Sequence, residues 1–562
     1  MKIFQFRFKT TLQILFVITF FSTSSAKSLD KFNDAERVSD YFSGILLLND
    51  NQYEDSLRYL KKLNGLENSH MSYSVKYLYS LVNSGNLKEA FNYSKKLEKQ
   101  KLDSFESHLI SGIFYLKNSN NNLAQEYFIK AKARNSNFIL NNYISNSLYN
   151  WSNFSNLNQA ELELKNLDER FKNLKKIQNI FLNCFYKRPE TNNLFKEITS
   201  MSKTDFSRYN YFYAVYMASI GNKRRAIEIV ESALKLHPRN LLLNQFKIDL
   251  ISNKNILKFN CENRAHVSAE ILYIAANALS SQSIYSQSNF YLNLAKFLNE
   301  DFHSYDTLLA ENFYKIDNYN KAKNIYTELS KKGEAFNWYS SKQLAKIFVK
   351  SNNKKSALKL LSKSYKNIIN KDIYETFDYA EFLKNNEKFY ESISFYTEII
   401  NQVDKVHPLY AEATDGRGVA YERTGEWVLA EKDLLASLKA NPDQAYVINY
   451  LAYTWIEQGV KVKKSLNMLE KANKLRSNDP YITDSLGWAL FKLKRYEEAK
   501  DYLQLAVKLL PADPIVNDHF GDALWKIGNE IQARYYWNYV LNLEKTEEEL
   551  KKKIEKKLTK GL

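Results

Sequence analysis

The sequence predicts an all-α chain of stacked helix pairs, and three observations predict it. Only 14 Gly and 7 Pro occur in 562 residues, too few turn formers for a β-sandwich or barrel. Small residues recur at steps of 34 or 35 along most of the chain. A second small residue follows many of them by twelve. Hydrophobics at 44% and aromatics at 14% exclude a disordered chain. Two Cys exclude a disulfide scaffold and a four-Cys zinc site.

Taken in order, the first element is an address. Lys2, Arg7 and Lys9 precede a mostly apolar run from Leu12 to Phe21, and Ser24 and Ala26 then supply small residues. This is the three-part layout of a secretory signal peptide over residues 1–26. The run is about ten residues, against about twenty needed to span a bilayer. No Cys follows it for lipid attachment, so the expectation is a cleaved leader and a periplasmic chain with no transmembrane segment. Cleavage lowers the formal charge of +17 by three, to +14. Lys and acids are interspersed, which reads as a solvated basic surface. Peripheral contact with anionic lipid or cell-wall polymer is the alternative, and nucleic acid is not expected.

The repeat follows. Gly44, Leu78 and Gly112 step by 34, and Ser56, Ala90 and Ala124 follow each by twelve. Ala276, Ala310, Ala345 and Ala380 continue it, with Ser288, Ala322, Ala357 and Ser392 twelve later. Gly418, Ala452, Gly487 and Gly521 close it, with Ala430, Ala499 and Ala533 on the second helices. Asn-rich turns separate helices, and Pro442, Pro480 and Pro511 are read as ending units. Two helices touch where a small residue lets backbones approach, and large neighbours fill the groove beside it. One such pair cannot bury its face alone, so pairs stack. The expected organisation is N-terminal units over 27–140, degenerate units over 141–210, central units over 211–405, C-terminal units over 406–543 and a charged capping helix over 544–562. In that helix Thr546 and Glu549 suit a capping box, and Leu550, Ile554 and Leu558 form one stripe under a Lys-rich outer face.

This grammar resembles the tetratricopeptide repeat (TPR), with 12 clear units and room for about 15 between 34 and 543. The resemblance implies an α-α superhelical solenoid whose first helices line a long concave groove. Around Asn449-Tyr450-Leu451-Ala452, Asp484-Ser485-Leu486-Gly487-Trp488 and Asp518-His519-Phe520-Gly521-Asp522 the chain is similar to Gram-negative envelope TPR proteins. These include alphaproteobacterial periplasmic members and outer-membrane lipoproteins, some of which bring a carboxy-terminal processing protease to cell-wall hydrolases. The close match covers residues 413–537.

The resemblance places groove positions three before, one after and four after each small residue. Three before gives Asp415, Asn449, Asp484 and Asp518; one after gives Val419, Tyr453, Trp488 and Asp522; four after gives Glu422, Ile456, Phe491 and Trp525. Carboxylates and carboxamides there suit a peptide backbone or Lys/Arg side chains, and the aromatics suit desolvated anchors. Packing between helices and helix capping are the structural alternatives. The Lys, Asn and Arg pattern that grips chaperone C-termini is missing.

No catalytic, metal or cofactor site is expected. Gly416-Arg417-Gly418 with Gly425 lacks the preceding strand of a phosphate loop. His237 and His407 precede Pro and read as turn residues. Cys184 and Cys261 lie 77 apart, about two repeats, which favours two buried free thiols over a bridge. An enzyme hidden in 141–265 is a further alternative, but the roughly 70 Asn-rich residues there outside clear units are too few for a usual catalytic domain. The sequence therefore reads as a non-enzymatic scaffold or adaptor binding envelope proteins. An assembly or export factor is one alternative, and a glycan-binding module stacking sugars on Trp488 and Trp525 is another.

Overall fold

The computed structural model describes residues 35–134, 139–154, 157–201, 206–252 and 258–562. The expected leader lies outside them. The described residues form 30 α-helices and no strand. Twenty-eight of these make 14 successive pairs; the other two are Leu241–Ile251 and the final Glu548–Lys560. Residues 139–199 hold two pairs, Ile139–Asn153 with Leu157–Lys165 and Lys172–Phe185 with Thr191–Thr199.

The pairs obey a register that explains the repeat. Gly44 faces Leu60, Gly112 faces Phe128, Gly418 faces Leu434, Gly487 faces Leu503 and Gly521 faces Trp537, always sixteen residues on. A Cβ at these glycines would come within 2.4–3.0 Å of the facing side chain. Where the first position is large, at Leu78, the residue sixteen on is the small Ser94, and both are buried. The positions twelve on are fully buried too, Ser56, Ala90, Ala322 and Ala533 among them. Serine is tolerated there because its hydroxyl finds a partner. Ser56 Oγ donates to the Gly44 carbonyl and Ser288 Oγ to the Ala276 carbonyl, both at 2.8 Å.

Two boundaries differ from the sequence reading. Pro480 opens a unit rather than ending one. It sits at the first position of the helix Pro480–Lys492, where its missing N–H costs nothing, and Asp479 caps the helix. Pro514 behind Asp513 repeats the arrangement. The Thr546–Glu549 capping box does not form, because the last helix begins at Glu548 behind Glu547. Thr546 lies one residue too early, and its hydroxyl donates to the Val540 carbonyl at 2.5 Å. The stripe does pack, with Ile554 fully buried and Leu550 and Leu558 against the same core.

The chain divides into two compact units, Met1–Ser364 and Tyr365–Leu562. In the first, early first-of-pair helices pack on a later helix pair of the same unit. Met71–Asn83, Phe105–Lys117 and Ile139–Asn153 lie against Arg264–Ser281 and Tyr285–Leu298. Tyr79 stacks on Phe290 with centroids 4.4 Å apart, and Phe114 on Phe297 at 5.9 Å. Asn83 Nδ2 donates to the Ser286 carbonyl at 3.3 Å, and the Tyr291 hydroxyl to Asn141 at 3.2 Å. Arg264 donates to the Ser152 and Phe154 carbonyls at 2.9 and 2.7 Å. One core therefore runs from Leu48 to Ile347. The expectation of a groove open along the whole array fails here, because the chain fills it with its own helices.

The cysteines depart from expectation as well. Cys184 and Cys261 form a disulfide with Cα atoms 6.0 Å apart, and no free cysteine remains. Repeat spacing fixes distances only between equivalent helix positions. Cys261 instead sits in the turn before Arg264–Ser281, which approaches the end of Lys172–Phe185. Lys187 and Glu262 pair beside it at 3.0 Å.

Candidate functional site

The candidate site is the groove row of the second unit, and its four positions meet different fates. At the C-terminal end the row is occupied by the chain itself. The last helix, Glu548–Lys560, turns Lys557 inward. Its Nζ lies 2.6 Å from Asp518 Oδ1 and 2.7 and 2.8 Å from the Asp522 oxygens. Asp522 also accepts from the Trp537 indole N–H at 3.0 Å. Burial pushes the Asp522 pKa up to about 6, Asp518 adds to the rise and Lys557 opposes it. Trp525 packs on Trp537 at 5.4 Å, under the Arg534 guanidinium at 4.6 Å. Gly561 abuts its ring so closely that a Cβ would lie 2.1 Å away. Of the expected solvating face, Lys557 is thus an internal counter-ion.

One unit back, Asp484 is buried and lies 3.0 Å, through both oxygens, from His519 Nδ1. Burial works to lower the His519 pKa, but Asp484, with Asp518 and Asp522, outweighs it and the net shift is upward. Trp488 stacks on His519 at 3.9 Å and on Phe491 at 4.8 Å, and its indole N–H donates to Glu457 at 2.6 Å. Trp488 is only 8% exposed, which leaves no open face for a sugar. The Asp residues do not cap helix starts; Asp479 and Asp513 do that.

Further back the row is less deeply buried. Asn449 Oδ1 is buried and accepts no hydrogen bond. Half-buried Tyr453 lies 6.5 Å from His519, and burial with nearby Glu457, Asp484 and Asp518 pushes its pKa up. Glu422 accepts from the Tyr450 hydroxyl at 2.7 Å. Asp415 is half-buried on the helix Pro408–Arg423. Burial pushes its pKa up to about 6, Lys384 opposes the rise, and Glu381 and Glu412 reinforce it. Lys384 itself pairs with Glu381 at 2.8 Å.

The other candidates have structural roles. Gly416 and Gly418 lie inside Pro408–Arg423, and Arg417 pairs with Asp433 at 2.6 Å. His407 caps that helix, its Nδ1 accepting from the Leu409 N–H at 3.2 Å, and His237 is an exposed turn residue. Among the described residues no group of three or more His, Cys, Asp or Glu could hold a metal. No described helix is long and apolar enough to cross a membrane.

Comparison with known proteins agrees with the helix-pair register. The tetratricopeptide repeat family model matches residues 483–513. TPR repeat-containing protein PA4667 of Pseudomonas aeruginosa is 29% identical over 126 residues. The chain is a TPR protein. That match covers 22% of this chain and spans one fifth, 20%, of the length of the Pseudomonas protein. Among solved structures, MamA 41-end from Desulfovibrio magneticus RS-1 is 16% identical, over 32% of this chain and 99% of that one, with a TM-score of 0.28. YrrB, described as a TPR protein with an unusual peptide-binding site, is 17% identical, over 33% of this chain and 92% of that one, also at 0.28.

Sequence reasoning missed the partners of the TPR groove residues. His519 lies 35 residues beyond Asp484, one repeat on and one position over, so the spacing carried that signal. Lys557 lies 39 beyond Asp518, and nothing in the repeat marks it as inward-facing.

Proposed function

We propose that this TPR protein is a non-enzymatic periplasmic scaffold that holds envelope proteins in the groove of its second unit. TPR repeats imply a protein-interaction scaffold. One observation carries the placement: the first unit packs its early helices on its own later pair, whereas in the second the pairs touch near neighbours and Asp415, Asn449 and Tyr453 are only half-buried. The disulfide supports export, since such bonds persist in oxidising compartments. The layout of residues 1–26 supports the same address. The adaptor role, a processing protease brought to a cell-wall hydrolase, rests on the resemblance of residues 413–537.

The test is capture from an envelope extract with residues 27–562 as bait, against a bait carrying Asp415→Lys and Asn449→Lys. These positions are chosen because Asp484→Lys would set a cation against buried His519. Partners held by the first bait and lost with the second support the groove; partners held equally by both contradict it. Turnover of peptidoglycan or of a peptide substrate by the purified chain alone would overturn the scaffold reading.

A further inference from the structure

In the first unit a cavity lies where the helix-pair register breaks. Leu241–Ile251 stands outside the pairs, and the next helix begins only at Arg264. Just before that helix, Cys261 is tied by the disulfide to Cys184, near the end of Lys172–Phe185. A cavity of about 380 Å³ opens between this turn and the helices Thr191–Thr199 and Ser207–Ser219. Its wall is built from Phe195, Phe212, Val215 and Phe259, all buried, with both cysteines beside them. Ring contacts hold this wall: Phe195 stacks on Tyr216 at 5.6 Å, and Phe212 meets Phe259 edge-on at 4.6 Å. Protein interiors close-pack and leave few voids larger than a water molecule. Here the disulfide ties two sides of the space together and fixes their separation. At the rim Lys187 and Glu262, the charged residues of its described lining, pair with each other at 3.0 Å.

From this we infer that the cavity binds a neutral aromatic small molecule. Its volume falls in the range of small-ligand sites, roughly 300–1,000 Å³, and it has their make-up, an apolar wall with a few polar groups at the rim. A wall of phenylalanines rewards an aromatic ring, which finds edge-to-face and offset-stacked partners there. A flexible alkyl chain would give up more rotamer freedom on entering. An anion would meet a cation already neutralised by Glu262, and a cation would meet the reverse. The site lies wholly within the first unit and does not depend on the scaffold reading of the second.

The experiment titrates N-phenyl-1-naphthylamine, a neutral aromatic probe that brightens in apolar surroundings, into the oxidised 27–562 chain and two variants. Val215→Trp fills the cavity from its wall. Ser219→Trp narrows it from the exposed end of Ser207–Ser219, away from the core. Circular dichroism verifies that each variant is folded, and if Val215→Trp does not fold, Ser219→Trp decides alone. The expected result is saturation at one probe per chain, with affinity about tenfold lower in each folded variant. The anionic 1-anilinonaphthalene-8-sulfonate should bind about tenfold more weakly than the neutral probe, and 1-decanol should not displace it. No saturable binding, or binding that neither substitution weakens, would overturn the site. Equal affinity for the sulfonate, or displacement by 1-decanol, would overturn the neutral aromatic assignment.

Discussion

The two units of this TPR protein use one helix-pair grammar and reach opposite ends. In Met1–Ser364 the first helices of early pairs lie on helices some two hundred residues later, as Tyr79 does on Phe290. In Tyr365–Leu562 the pairs touch near neighbours, and the core falls into several separate clusters. A solenoid in which each repeat meets only its neighbours keeps a concave surface; one that closes on itself spends that surface on stability. The first unit is therefore expected to fold as one cooperative body, and the second to present a groove.

The comparison breaks most severely if the first unit tolerates loss of its central ion pair. Arg208 donates to Glu270 through Nε and Nη2, both at 2.8 Å, and its guanidinium lies 3.7 Å from the Tyr273 ring centroid. Glu270→Ala leaves that cation buried without its partner, and should cost the first unit about 3–5 kcal/mol in urea unfolding. A cost under about 1 kcal/mol would mean the unit is not closed as described.

Next in size, replacing Cys184 and Cys261 with Ser should cost about 2–4 kcal/mol, confined to the first unit. Dithiothreitol should reproduce the loss in the wild type. In the second unit, Gly521→Ala drives a Cβ to 2.5 Å from Trp537 Nε1. Overpacking of this kind should cost about 1–3 kcal/mol. Trp427, Trp455, Trp488, Trp525 and Trp537 all lie in the second unit, against Trp151 and Trp338 in the first, so fluorescence follows mainly the second.

The smallest effect is in pH. Asp415 and Asp522 both have folded pKa values raised to about 6 from the usual 3.8. A raised acid binds more protons folded than unfolded, so its stabilisation is full below about 4 and is lost as pH rises through 6. The raised His519 has the same sign, its contribution present below 6.5 and lost above it. The urea midpoint reported by tryptophan should thus be higher at pH 5 than at pH 8. The first unit carries the reverse case in Glu98, held down at about 2 by Lys130 and Lys95 against burial, whose contribution is lost only in strong acid.

Much of this was legible in the residues. The steps of 34 and the small residues twelve on mark helix contacts that the structure buries, because close approach needs a small residue on at least one side of each contact. The equivalent positions of Asp484 and Asp518 were readable from the same period, and Lys557 and His519 bring them with Asp522 into one charged cluster. Closure of the first unit was not legible, since a period fixes the helix pair but not the curvature accumulated over many pairs. Phe290 carries no mark that it will meet Tyr79. The disulfide escaped for a related reason: Cys261 belongs to an irregular turn, where repeat spacing says nothing about distance.

The central claim is that partners enter the groove of the second unit and not the inner face of the first. Photo-crosslinking in cells making the chain tests it most directly, with p-benzoylphenylalanine in place of Tyr453 or of Tyr79. A partner protein crosslinked from position 453 and none from position 79 is the predicted result. Crosslinks from 79, or none from 453 in cells where the chain has bound its partners, would contradict it.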